Sequence, residues 1–113
     1  MLEIANAVSN YHHDPQGKGP GRVQVTISGN MVYVLTSDVF TVAEQALYQT
    51  EEGRKLIKSA RRDLRSLTRD SAHADISRVV GCPVVRSYWD LDVRVGEQME
   101  AYVLSEDIEA KLA

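Results

Sequence analysis

The chain has 113 residues, of which 43% are apolar and 26% charged, and its formal net charge is −3. These values fit one globular domain spanning residues 1–113, and they exclude a collagen-like chain, a disordered acidic tail and a globally basic nucleic-acid binder. Cys82 is the single cysteine and cannot close an internal disulfide, which points to a reducing compartment.

In chain order, Met1-Leu2-Glu3-Ile4 has no basic region ahead of an apolar stretch, so no signal peptide is expected. Leu2, Ile4, Ala5, Val8 and Tyr11 have the spacing of a short amphipathic helix that must end before Pro15. His12-His13-Asp14 follows. Adjacent histidines on a helix point about 100° apart, and neither a Cys-x-x-Cys nor a His-Glu-x-x-His spacing is present, so no metal is expected with His73 or Cys82. Gly17-Lys18-Gly19-Pro20 forms a glycine-rich loop. A helix precedes it and a strand follows, the reverse of a phosphate-binding loop, so it reads as a shaped turn of unassigned role.

Arg22 to Ser28 alternates, with Val23, Val25 and Ile27 on one face. Gly29-Asn30 is a two-residue turn that sets Ile27 against Val32, Val25 against Val34, Thr26 against Tyr33 and Gln24 against Leu35. The β-branched face is the expected core, and Met31, Tyr33 and Leu35 the expected contact surface. The apolar run Met31 to Leu35 is far shorter than the ~20 residues a membrane span needs.

Thr41-Val42-Ala43-Glu44 is a capping box that opens a helix, and Thr50-Glu51-Glu52 opens a second. Helical periodicity runs to Val80, with either one helix or two broken near Thr68–Ser71. Gly81 is the expected C-terminal cap and Pro83 prevents continuation. Cys82 reads as a small buried residue, and Asp90 and Asp92 as turn aspartates bonding their own backbone. Val84–Asp90 and Glu97–Leu104 form a second hairpin, followed by a short helical tail over 105–113. The fold class is therefore α+β, two-layered, with two β-hairpins forming an antiparallel sheet packed against helices in the order α-ββ-αα-ββ-α.

The helix from Glu51 to Asp70 carries the strongest charge pattern. Leu56, Ile57, Ala60, Leu64 and Leu67 fall within an arc of about 100°, and seven of the chain's 13 Lys and Arg residues fall on the opposite side. Arg54, Lys58, Arg61, Arg62 and Arg65 are accordingly read as an exposed docking face for an anion or an acidic partner. On that reading, replacing Arg61 and Arg65 by glutamine leaves folding intact, whereas Leu64→Ala costs about 2–5 kcal/mol if Leu64 is fully buried.

Several stretches together resemble the MpsC-like family, named after a component of a sodium-translocating, membrane-potential-generating system. They are the Gly17-Lys18-Gly19-Pro20 loop, Phe40-Thr41-Val42-Ala43-Glu44, Thr50-Glu51-Glu52-Gly53-Arg54, Arg61-Arg62-x-Leu64, Gly81-Cys82-x-Val84-Val85 and Glu100-Ala101-Tyr102-Val103-Leu104. The sequence departs from the family pattern at Lys18, Phe40, Val42 and His12–Pro15. The resemblance implies a cytoplasmic accessory protein, peripheral to the inner membrane through a partner, linked to transport of sodium and inorganic carbon such as bicarbonate. It carries over no catalytic residues.

The function expected is thus that of a non-enzymatic accessory or regulatory binding protein without a cofactor. Its expected partners are a second copy of the chain and a membrane transporter subunit. The alternative is a nucleic-acid-binding or transcription-linked module using the basic helix 51–70. Exposed strand edges and an outer sheet face of Met31, Tyr33 and Leu35 with Tyr88 or Trp89 favour the homodimer.

Overall fold

The computed structural model describes residues 22–109. The expected first helix, the Gly17–Pro20 loop and the chain beyond residue 109 lie outside the described residues. β1 (Arg22–Ser28) and β2 (Met31–Ser37) form the first hairpin in the register that the alternation requires, Ile27 against Val32 and Val25 against Val34. Gly29 takes φ +60° at the first turn position, where a side chain would be strained. α1 (Val42–Leu47), α2 (Glu51–Val80), β3 (Val84–Asp92) and β4 (Glu97–Leu104) follow. β4 inserts beside β2, giving one antiparallel four-stranded sheet in the order β1-β2-β4-β3 with both helices on one face. This is the expected α+β arrangement. β3 runs two residues further than its periodicity suggested, and a bulge interrupts its pairing between Val84 and Arg86.

α2 is one continuous helix of 30 residues, about 45 Å long. No proline or glycine interrupts it after Gly53, and Thr68, in the segment expected to break, turns its hydroxyl back onto the Leu64 carbonyl at 2.8 Å. Thr50 caps its start by accepting from Gly53 N at 2.9 Å. Gly81 ends it at φ +81°, donating to Ser77 O at 2.9 Å. Ser77 Oγ then accepts from Val84 N at 3.0 Å, which ties the helix end to the start of β3.

The face α2 buries differs from the expected stripe. Its inward row is Gly53, Ile57, Arg61, Ala72 and Ile76, with Arg65 and Thr68 half-buried between them. Leu56 is 57% exposed and Leu67 83%, and Leu64 is only half-buried. The physical reason is that two arginines occupy core positions on this helix, so the arc of densest apolar residues is not the arc that meets the sheet. Leu67→Ala is accordingly expected to change unfolding free energy by no more than about 0.5 kcal/mol, checked by thermal melting.

Two apolar clusters form the core. One joins Val32, Val34, Tyr102 and Leu104 of the sheet to Ala72 and Ile76 of α2, with Cys82 and Ile108 at its end. The other joins Val39, Phe40, Ile57 and Leu91. Between them lies a band of buried polar side chains: Thr36, Gln98, Glu100 and Arg61. Residues 105–108, expected to open a helical tail, are not helical: held by Ser105 N to Pro83 O at 3.0 Å, the chain past β4 instead folds back over the first hairpin turn, where Ile108 N donates to Gly29 O at 3.1 Å.

Candidate functional site

The junction of the two helices is built around Glu44. Thr41 caps α1 by accepting from Glu44 N at 3.2 Å, while the Glu44 carboxylate accepts from Thr41 N at 2.9 Å, the reciprocal pair its spacing predicts. The same carboxylate receives Arg61 of α2, with Nε to Oε2 at 2.7 Å, and Arg61 Nη2 also donates to the Val39 carbonyl at 2.6 Å. Burial works to raise the Glu44 pKa. The hydrogen bonds from Arg61 and Thr41 and the guanidinium charge outweigh it and hold the carboxyl below its ordinary value.

Arg65 enters the polar band four residues further along. Its Nη2 donates to Ser87 Oγ at 2.7 Å, its Nη1 lies 3.7 Å from Glu100 Oε2, and its guanidinium stands 5.7 Å from the Tyr102 ring centroid. Tyr102 donates its hydroxyl to Glu100 Oε2 at 2.6 Å, and His73 Nε2 is 2.6 Å from Ser87 Oγ. Arg65 and His73 thus meet on one hydroxyl, Ser87 Oγ, which accepts from Arg65 at 2.7 Å and lies 2.6 Å from His73 Nε2.

Burial lowers the His73 pKa, helped by the charges of Arg65 and Arg69 and opposed by Asp70 and Glu100. The folded state therefore resists a proton that the unfolded chain accepts at its ordinary pKa of about 6.5. Stability is expected to fall as the pH drops through that value, and to fall again in the acid range where Glu44, also depressed, begins to titrate. Melting temperature against pH checks this. His73→Asn is expected to remove the upper step and leave the lower one.

These contacts correct the reading of the basic side. Arg61 is 4% exposed, and the Arg65 side chain 10%. Both are structural, so only Arg54, Lys58 and Arg62 of the five expected docking residues lie toward solvent, and the variant Arg61→Gln/Arg65→Gln cannot be neutral. Arg54 is half-buried and donates to the Tyr48 carbonyl at 2.8 Å, with its guanidinium 5.6 Å from the Tyr48 ring centroid. Lys58 lies 3.2 Å from Asp90, whose carboxyl this bond holds below its ordinary value, with Leu91 N and the charges of Lys58 and Arg62 adding to the effect against a small opposing effect of burial. Two grooves flank α2. One, of about 470 Å³, separates its first turns from the end of β3 and is lined by Glu51, Arg54, Lys55, Lys58 and Asp90 to Arg94, so that the carboxylates of Glu51, Asp90 and Asp92 stand among its four cations. The other, of about 230 Å³, runs between α1 and α2 and is lined by Thr41, Glu44, Ala60, Arg61 and Leu64.

Residues of β2, β4 and β3 that alternate away from the helices form the outer sheet face. Tyr33 pairs with Ala101, Leu35 with Met99, Met31 with Val103, and Tyr88 with Ala101. The alternation decides between the two aromatic candidates. Tyr88 faces outward and is 59% exposed, whereas Trp89 faces α2 and donates to Gln98 Oε1 at 2.8 Å. Asp92 accepts from Arg94 N at the turn, as expected of a turn aspartate, whereas Asp90 lies inside β3, where it accepts from Leu91 N and meets Lys58. Sequence reasoning missed the Arg65–Ser87–His73–Glu100–Tyr102 network, because its members become neighbours only once α2 crosses the sheet. The polar residues at alternate positions Gln98 and Glu100 were the available signal that the inner face of β4 is not wholly apolar.

A family model described as Na+-translocating membrane potential-generating system (MpsC) matches residues 2–106. The chain is also similar to the uncharacterized protein YbcI of Bacillus subtilis (strain 168), 27% identical over 110 residues that cover 97% of this chain and 89% of that protein. No solved structure matches it.

Proposed function

The chain belongs to the MpsC family, and on that premise we propose that it is a non-enzymatic accessory protein of a membrane sodium or inorganic-carbon transport system, working as a homodimer. The observation that carries this reading is the outer sheet face. Tyr33, Tyr88 and Met99 are 36%, 59% and 41% exposed there, and no element among the described residues covers them. An apolar sheet face of this kind is the usual mark of a protein partner. Among the described residues no helix is long and apolar enough to cross a membrane. A second copy closes the outer face by a two-fold axis that sets like residues against like.

Light scattering at micromolar concentration tests the dimer. The wild type is expected at twice the chain mass. Tyr33→Glu/Met99→Glu is expected to run as a monomer with its melting temperature nearly unchanged, because both side chains are solvent-facing in the isolated chain. A wild-type monomer contradicts the reading.

The nucleic-acid alternative depends on the basic stripe and is weakened by the burial of Arg61 and Arg65.

A further inference from the structure

α2 divides into three sides. Ile57 packs with Leu91 of the sheet, whereas Arg61 turns to Glu44 of α1 and the Val39 carbonyl, and Ala60 and Leu64 line the groove beside α1. Lys58, Arg62, Arg65 and Arg69 follow each other at three- and four-residue steps on the remaining shoulder. That shoulder runs along β3, since Lys58 meets Asp90 and Arg65 meets Ser87. β3 is an edge strand of nine residues, and among the described residues nothing pairs with its far side. Long open edges invite strand addition unless something deters it. Here a second copy is deterred, because antiparallel pairing of β3 with its own copy brings two basic shoulders together. The acidic end of the chain is also committed elsewhere. Ile108 is bonded to Gly29, at the first hairpin turn, whereas the groove opens beside Asp92.

We propose that the groove between α2 and β3 takes an acidic segment of a partner protein in extended conformation, added as a fifth strand to the edge of β3 under Lys55, Lys58, Arg62 and Arg94. Backbone hydrogen bonds to β3 supply the pairing, and alternate carboxylates of the incoming strand meet the basic shoulder. The existing contacts Lys58–Asp90 at 3.2 Å and Lys55–Glu51 at 3.9 Å are solvent-exposed pairs of the kind that contribute little, so an incoming carboxylate can replace them. Exposed Tyr88 offers the apolar side of the added strand a contact. The assignment rests on reading the chain as a docking protein and names the chemistry of what it docks.

The test is fluorescence anisotropy with a labelled peptide of about seven residues alternating glutamate and threonine, the length of an ordinary strand. The controls are its lysine counterpart and a version N-methylated at alternate residues. The acidic peptide is expected to bind saturably and to weaken at high salt. Binding is expected to fall about tenfold or more in Lys55→Gln/Lys58→Gln/Arg62→Gln, and comparably on N-methylation. Hydrogen exchange of residues 86–92 should slow on binding. Should the triple variant melt early, Arg94→Gln and Lys55→Gln singly carry the charge test. Absence of saturable binding, equal binding of the lysine peptide, indifference to N-methylation, or tighter binding of a short DNA duplex at the same ionic strength would each overturn the proposal. Recovery of a transport subunit with a chain that ignores the peptide removes the groove assignment alone. Peptide binding without any transport subunit removes the transport reading alone.

Discussion

Gly53→Ala is expected to destabilise the protein by about 3 kcal/mol or more, although alanine is the better helix former by about 1 kcal/mol. A Cβ at position 53 falls 1.8 Å from the Leu47 carbonyl oxygen, 2.6 Å from its carbon and 2.9 Å from Thr50 Oγ1. Two of those atoms are backbone, so relief requires moving the end of α1 away from α2. The stretch Thr50-Glu51-Glu52-Gly53-Arg54 acquires a physical reason from this. Thr50 caps α2, Gly53 admits the Leu47 carbonyl, and Arg54 binds the Tyr48 carbonyl, so three side-chain choices hold one tight connection. Urea denaturation checks the prediction. A loss below 1 kcal/mol would mean that the α1–α2 corner yields easily.

Arg61→Gln is expected to cost about 3–5 kcal/mol, the usual consequence of leaving one partner of a buried ion pair behind. The Arg61 side chain is 3% exposed and that of Glu44 16%. Removing the guanidinium strips the Glu44 carboxylate of its counter-charge and the Val39 carbonyl of its donor. Arg61→Met/Glu44→Leu is expected to lose much less than the sum of the two single changes, because it removes both charges together. The full denaturation cycle measures this, and strict additivity would contradict the ion-pair account.

Much of the fold was legible because its signals are local. Val23 to Ile27 alternate, Gly29-Asn30 fixes a register, Thr41 and Glu44 answer each other across one helical turn, and Gly81 stops α2. Each of these depends on residues no more than about ten positions apart. The charged side of α2 was not legible in the same way. A helical wheel counts apolar residues and places the core beneath them, which favoured Leu56 and Leu67. What fixes the buried row instead is the supply of partners for Arg61 and Arg65: Glu44 from α1, Ser87 from β3 and Glu100 from β4. Those partners lie 17 to 35 positions away, and an arginine with such partners takes a core position that no periodicity of apolar residues reveals. The outer face fared better, since strict alternation along β3 and β4 puts Tyr88 and Met99 beside Tyr33 and Leu35 once the strand order is known.

The most direct test of an accessory role is to recover the tagged full chain from its native membranes in mild detergent and to identify the integral-membrane proteins that come with it. Wild type and Lys55→Gln/Lys58→Gln/Arg62→Gln are compared at matched folded stability. The account predicts that a subunit of a sodium or bicarbonate transport system accompanies the wild type and is lost from the variant. Recovery of the wild type without any membrane transport subunit would contradict the accessory role, and recovery of the same subunit in equal amount on the variant would contradict the groove assignment alone.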